Sequence, residues 1–161
     1  MKAFLHHVTI RWSDVNAYGI VSDAAIAAYV EEARGALIRK LAGLGAERPE
    51  SAPPLVYLTV RQRIDYLLPL HWQAEPLVIS LRVLRIRPSA VELNARVGCR
   101  TAPCAEARVL SACWNTARSR PHLIASAQRA LLTQYLETTQ NDDRHPGKQQ
   151  DSNGRGTRPI P

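Results

Sequence analysis

The chain is poor in several things. Of its 161 residues only one is Phe and one is Met. Lysine is scarce too, since arginine supplies 18 of the 21 basic residues. The three cysteines, Cys99, Cys104 and Cys113, form no Cys-x-x-Cys pair. An odd number of cysteines in apolar, strand-like surroundings argues against a disulfide framework. No three or four ligands at tight spacing offer a zinc site. They read as buried free thiols in a reducing compartment, so a cytoplasmic protein without metal or cofactor is expected. No apolar run approaches the roughly 20 residues that a membrane span needs. The opening Met1–His7 has no apolar stretch leading to a small-residue cleavage site, so neither membrane insertion nor secretion is expected. No Gly-X-Y period, heptad run or internal repeat occurs, which sets fibrous classes aside.

What is present is charge of one sign. Twenty-one basic residues against 14 acidic ones give a formal net charge of +7. A basic surface attracts anions. Nucleic acid recognition would also need a recognition helix, a zinc module or an aromatic stacking sheet. None is visible, so no nucleic-acid partner is expected. The length fits one domain with a real core.

The organisation follows from periodicity. Val8, Ile10 and Trp12 alternate with His7, Thr9 and Arg11, predicting a half-buried strand over 4–12. Turn residues fill 13–19. Ser22 or Asp23 can cap a helix running to about Leu41, where Gly43 and Gly45 end it. Ile26, Tyr29 or Val30, Ala33 and Leu37 form its apolar stripe. Its many alanines predict close contact with a sheet. Four strand-like runs follow, 55–66, 76–87, 90–100 and 105–116, separated by Pro69, Pro88-Ser89 and Thr101-Ala102-Pro103. A second helix is predicted over 126–138 with Ser126 as cap. Residues 139–161 hold one large aliphatic side chain, Ile160, and are expected to be a disordered tail after a domain spanning 1–138. Strand, long helix and meander together predict an α+β fold. It is an antiparallel five-stranded sheet wrapped around one long central helix, with an edge that a second copy would cover.

The densest chemistry lies in Arg11-Trp12-Ser13-Asp14-Val15-Asn16-Ala17-Tyr18-Gly19-Ile20-Val21 and then Tyr29-Val30-Glu31-Glu32-Ala33-Arg34. A third word is Arg63-Ile64-Asp65-Tyr66-Leu67-Leu68-Pro69-Leu70. Together these resemble hotdog-fold acyl-CoA thioesterases of the 4-hydroxybenzoyl-CoA thioesterase type, over about residues 5 to 137. The resemblance implies the hotdog fold, sites at subunit interfaces, and a homodimer or tetramer. It also implies an acyl thioester substrate on coenzyme A or an acyl carrier protein. In that family the second acid of Asp-x-Asp is the catalytic carboxylate, and here Asn16 stands in its place. Enediyne-type thioesterases of bacterial polyketide pathways are similar at this point, with an Asn there and an Arg on the helix. That likeness maps onto Asn16 and Arg34.

A carboxamide can neither form an acyl anhydride nor take a proton as a carboxylate does. It can orient water or donate a hydrogen bond to an oxyanion. Free backbone N–H groups at a helix start, near Ser22 and Asp23, would add donors of the same kind. The candidate catalytic residues are therefore Asn16, Arg34, Asp23 and Glu31. Candidate substrate contacts are Tyr18, Gly19, Ile20, Val21, Ser22, Asp65 and Tyr66. Arg61, Arg63, Arg82, Arg85 and Arg87 form a basic group, and Arg85 and Arg87 share a strand face. They would suit the phosphates of coenzyme A or an acidic carrier protein. The expected function is thioester hydrolysis in polyketide or fatty-acid metabolism. The alternative is a non-catalytic acyl-thioester-binding protein that has lost its acid.

Overall fold

Period-two patterning becomes antiparallel strands in a computed structural model of the chain, which describes residues 2–43, 55–98 and 102–137. The strands are β1 (Phe4–Val8), β2 (Leu55–Tyr66), β3 (Leu77–Ile86), β4 (Ala90–Gly98) and β5 (Pro103–Asn115). They lie in the order β1-β3-β4-β5-β2, every neighbouring pair antiparallel. A sixth strand, β6 (Arg120–Pro121), pairs with β5 and makes the sheet six-stranded rather than five-stranded. It has only two residues, too few to show a period. Helix α1 (Asp23–Gly43) connects β1 at one edge to β2 at the other, and α2 (Ser126–Thr133) follows β6.

The core lies between α1 and one face of the sheet. Ile26, Tyr29, Val30, Ala33, Leu37 and Leu41 of α1 are buried with Ile79, Leu81, Leu93, Ala95, Ala107 and Val109 of the strands. Each large side chain so buried is worth about 1.5–3 kcal/mol. Ala33, Ala95 and Ala107 are fully buried, and their small size lets the helix lie close on the sheet. Extra residues Val60 and Leu84 interrupt the register of β2 and β3. Such bulges bend a strand and add twist.

Several boundaries differ from the sequence expectation. α1 runs on through Gly43 instead of ending near Leu41, and β5 takes in Pro103 instead of starting at 105. β1 ends at Val8, and residues Trp12–Asp14 form a single 3-10 turn instead of continuing the strand. α2 ends at Thr133, because the chain then turns so that the Tyr135 carbonyl accepts from Val83 N–H at the β3 bulge. Ser126 is not its cap, since Ala125 occupies that position. The end of the fourth predicted strand at Arg100, Cys99, and the tail over 139–161 lie outside the described residues. No described helix is long and apolar enough to cross a membrane.

Candidate active site

The residues before α1 form a closed hairpin. Gly19 N–H donates to the Asn16 carbonyl at 3.0 Å, and Asn16 N–H donates to the Ile20 carbonyl at 2.9 Å. Val15 and Val21 bridge below this turn. Gly19 carries φ of +75°, with nothing within 4 Å of where a Cβ would lie. Its backbone angle, not crowding, is therefore what calls for glycine, as in three-residue hairpins that finish in a left-handed residue.

The Asn16 side chain locks this turn. Its Oδ1 accepts from Tyr18 N–H at 2.9 Å and from Ile20 N–H at 3.1 Å. Both neighbours are donors, so the oxygen must face them and the amide orientation is decided by the network. Nδ2 is left turned away from the turn, with no hydrogen-bond partner among the described residues. The part of Asn16 open to chemistry is thus a donor.

The hairpin is fastened to the helix and to the β2–β3 connection. Val21 N–H donates to the Leu70 carbonyl at 2.8 Å and Trp72 N–H to the Gly19 carbonyl at 3.2 Å. Trp12 and Trp72 meet edge to face at 5.8 Å between ring centroids. Asp14 holds the helix twice. Its carbonyl accepts from Ser22 N–H at 2.9 Å, and its Oδ2 accepts from the Tyr29 hydroxyl at 2.7 Å. Burial, helped by the Asp14 carboxylate, pushes the Tyr29 hydroxyl up to about 12.

Ser22 is the cap of α1, with its Oγ accepting from Ala25 N–H at 3.3 Å. Its own N–H is taken by Asp14. The open amides at the positive end of the helix are therefore those of Asp23 and Ala24, which have no partner among the described residues. Both residues are exposed. The Asp23 carbonyl accepts from the Tyr66 hydroxyl at 3.3 Å, which brings the end of β2 to the helix start.

The other sequence candidates fall elsewhere. Tyr18 stands 85% exposed at the hairpin tip, Ile20 is half-buried, and the Val21 side chain is in the core. Asp65 points to the sheet face away from α1 and pairs with Arg63 at 3.0 Å. Arg34 lies eleven residues beyond Asp23, about 16 Å along the helix axis. Its Nε donates to Glu31 Oε2 at 2.8 Å, its Nη2 to Glu31 Oε1, and its Nη1 to the Tyr57 carbonyl at 3.1 Å. Its side chain is 8% exposed, that of Glu31 52%. Within one chain it makes no hydrogen bond to Asn16. Arg85 and Arg87 sit at the far end of the sheet: β3 starts beside the hairpin connection and runs about 30 Å to reach them. Arg61, Arg63 and Arg82 lie on the sheet face opposite the helix. The structure thus gathers Asn16, Gly19, Ser22, Asp23 and Tyr66 at one end and leaves Arg34 with Glu31 as a second cluster.

Sequence reasoning missed the bonds between Asp14 and Tyr29 and between Tyr66 and Asp23. The first was accessible in outline, because an acid before the helix and a Tyr on its buried stripe face each other once the helix folds back. Among the described residues, no group of three His, Cys, Asp or Glu could hold a metal.

The arrangement also has relatives. The model of the Thioesterase-like superfamily matches residues 10–132. The chain belongs to that superfamily. Solved structures agree on its hotdog fold. A Pseudomonas aeruginosa protein is 22% identical, with a TM-score of 0.72 over 84% of this chain and 93% of its own. A Thermus thermophilus thioesterase complexed with coenzyme A and Zn is 19% identical, with a TM-score of 0.66 over 84% and 97%. The dynemicin thioesterase, described with polyene binding, is 16% identical, with a TM-score of 0.70 over 86% and 100%. A search of curated proteins found no match.

Proposed function

We propose that this superfamily member is an acyl thioester hydrolase acting on coenzyme A or carrier-protein substrates, and that it works without a carboxylate at position 16. The observation that carries this is the Asn16 carboxamide: its oxygen is tied down by the Tyr18 and Ile20 N–H groups, so its NH2 is the end left for a substrate, in the hairpin that leads into α1. The Nδ2 group and the Asp23 and Ala24 amides would polarise the thioester carbonyl and hold the oxyanion formed when water adds. Collapse of that intermediate breaks the C–S bond, releasing the thiol and leaving a carboxylic acid. Thioesters are activated enough for positioning and oxyanion stabilisation to carry much of the work. Asp23, whose carboxylate is exposed at the same helix end, is the group to receive a proton from water.

A homodimer completes this reading. β2 is a twelve-residue edge strand whose helix-side residues Thr59 and Gln62 are exposed, as are Leu58 and Val60. In each chain Tyr66 touches the helix start and Tyr57 touches Arg34. A second copy running antiparallel along β2 would set the Arg34–Glu31 pair of one chain near Asp23 of the other. Arg34 then supports charge in the partner's site, and Glu31 fixes the guanidinium. Tyr18, Gly19, Ile20 and Ser22 would shape the mouth through which the acyl group enters. Arg85 and Arg87, at the far end of β3 from their own hairpin, would meet the phosphates or acidic carrier only at the partner's site. A place in polyketide or fatty-acid metabolism fits the same chemistry.

The test is a panel of acyl-CoA and acyl-carrier thioesters with thiol release as readout. Asn16→Ala is expected to lower kcat by about 100- to 1,000-fold, the usual loss for one oxyanion donor. An unchanged rate in that variant would remove Asn16 from the mechanism. Tight acyl-pantetheine binding with no turnover in the parent protein would select the non-catalytic reading instead.

A further inference from the structure

Two rows on the sheet face away from α1 hold one arginine more than they hold acids. Register places Arg82 of β3, Asn94 of β4, Arg108 of β5 and Arg63 of β2 in one row across four strands. The next row toward Tyr66 carries Arg96, Glu106 and Asp65. Three of these arginines have an acid: Arg63 takes Asp65 at 3.0 Å, Arg96 takes Glu106 at 2.8 Å, and Arg82 takes Glu137 at 3.2 Å. Arg108 makes no hydrogen bond or ion pair among the described residues. It stands opposite Arg63, and directly opposed like charges destabilise a sheet. Exposed to solvent, it lines an open groove of about 220 Å³ with Arg63, Asp65, Asn94 and Glu106.

The last described residue reaches this same face. Residues 135–137 run beside β3, where Val83 N–H donates to the Tyr135 carbonyl at 2.9 Å and Glu137 N–H to the Val83 carbonyl at 2.8 Å. The Glu137 carboxylate then meets Arg82, at one end of the arginine row. From Glu137 to β5 is three strand spacings, about 14 Å. Asp142 and Asp143 are the next acids in the sequence after Glu137. The five residues from Glu137 to Asp142 span about 17 Å when extended, enough to reach Arg108. A carboxylate tethered this closely is at high effective concentration in the groove, which a free anion is not. We propose that residues 138–143 cross the back of the sheet from β3 to β5 and set Asp142 and Asp143 on Arg108 and Arg63. This strap supplies the missing acid from within the chain. It does not rest on the thioesterase reading.

Disulfide trapping in the full chain tests it. Asn94 lies two strand spacings from Glu137, about 10 Å, so the strap would carry Gln140 over it. Asn94→Cys/Gln140→Cys should therefore form a disulfide within one chain under mild oxidation, identified by peptide mapping. Adding Asp142→Asn/Asp143→Asn to that pair should slow its formation at least tenfold, and so should adding Arg108→Gln. Arg63→Glu/Arg108→Glu should slow it as well. Asp142→Arg/Asp143→Arg on top of that change should restore the rate, because the two sides have then exchanged charges. Salt well above about 0.1 M should slow the trapping, since these groups are exposed to screening. A rate that the neutral variants leave unchanged overturns the proposal. So does a disulfide found only between chains, which a denaturing gel without reductant shows as a doubled mass. Circular dichroism confirms that each variant is folded.

Discussion

The hairpin at the start of α1 and the Arg34 cluster three turns later are held in different ways. The first is held by backbone: of the bonds that shape residues 14–22, all but those of the Asn16, Ser22 and Asp14 side chains join main-chain groups. The second is held by side chains, with Glu31 and one carbonyl fixing a guanidinium. A backbone-built site keeps its shape when a side chain is exchanged. A side-chain-built site keeps its shape only while its partners stay.

Variants can break that contrast at either end. The largest effect is expected where the hairpin meets the core. Tyr29→Ala should cost about 3–5 kcal/mol of stability by opening a cavity, whereas Tyr29→Phe should cost about 1–2 kcal/mol by leaving Asp14 without its donor. Chemical denaturation measures both. Next comes Asn16→Ala, whose loss should appear in kcat and only mildly in stability. Arg34→Met should reduce turnover while leaving the hairpin intact by NMR. Its stability cost should be near 1–2 kcal/mol, from the undonated Tyr57 carbonyl, because the Glu31 partner is half exposed and its ion pair is worth little. Gly19→Ala should cost about 1–2 kcal/mol, since only the left-handed angle is strained there. The smallest effect has the opposite sign. Ser111 is fully buried and its hydroxyl has no hydrogen-bond partner among the described residues, so Ser111→Ala should stabilise the chain by about 1 kcal/mol.

An alkaline titration sharpens the same comparison. Tyr29 is raised from about 10 to about 12, so its neutral form is favoured on folding. That contribution is complete below pH 10 and is lost as pH climbs through 10 to 12. Tyr57 is raised as well, mainly by burial, and extends the loss to higher pH. Tyr29→Phe should flatten the lower part of this limb in denaturation midpoints taken across pH. An unchanged slope would mean that Tyr29 does not control it.

The contrast also explains how much was visible in the sequence. The helix stripe and four of the long strands follow from local patterns that burial enforces, so they are legible residue by residue, while the cap was legible only as Ser22 or Asp23. Asn16 and Gly19 were legible as turn residues. The direction of the carboxamide was not, because it depends on N–H groups two and four residues later being aimed at one atom. Arg34 was visible as a candidate about three turns along the helix, but the Tyr57 carbonyl that holds it was not, because only the fold brings β2 alongside. Arg85 and Arg87 were grouped with Arg61, Arg63 and Arg82 across two predicted strands, yet the length of β3 separates them from the Asn16 end. β6 left no signal, since two residues held by neighbours have no pattern of their own.

The turn around residue 16 asks its side chain for a single thing, an oxygen that accepts two N–H groups. Aspartate meets that demand as well as asparagine does. The loop is therefore a socket that takes a neutral or an anionic head without being rebuilt, and exchanging one for the other rewrites the electrostatics of the cleft while its scaffold stays still.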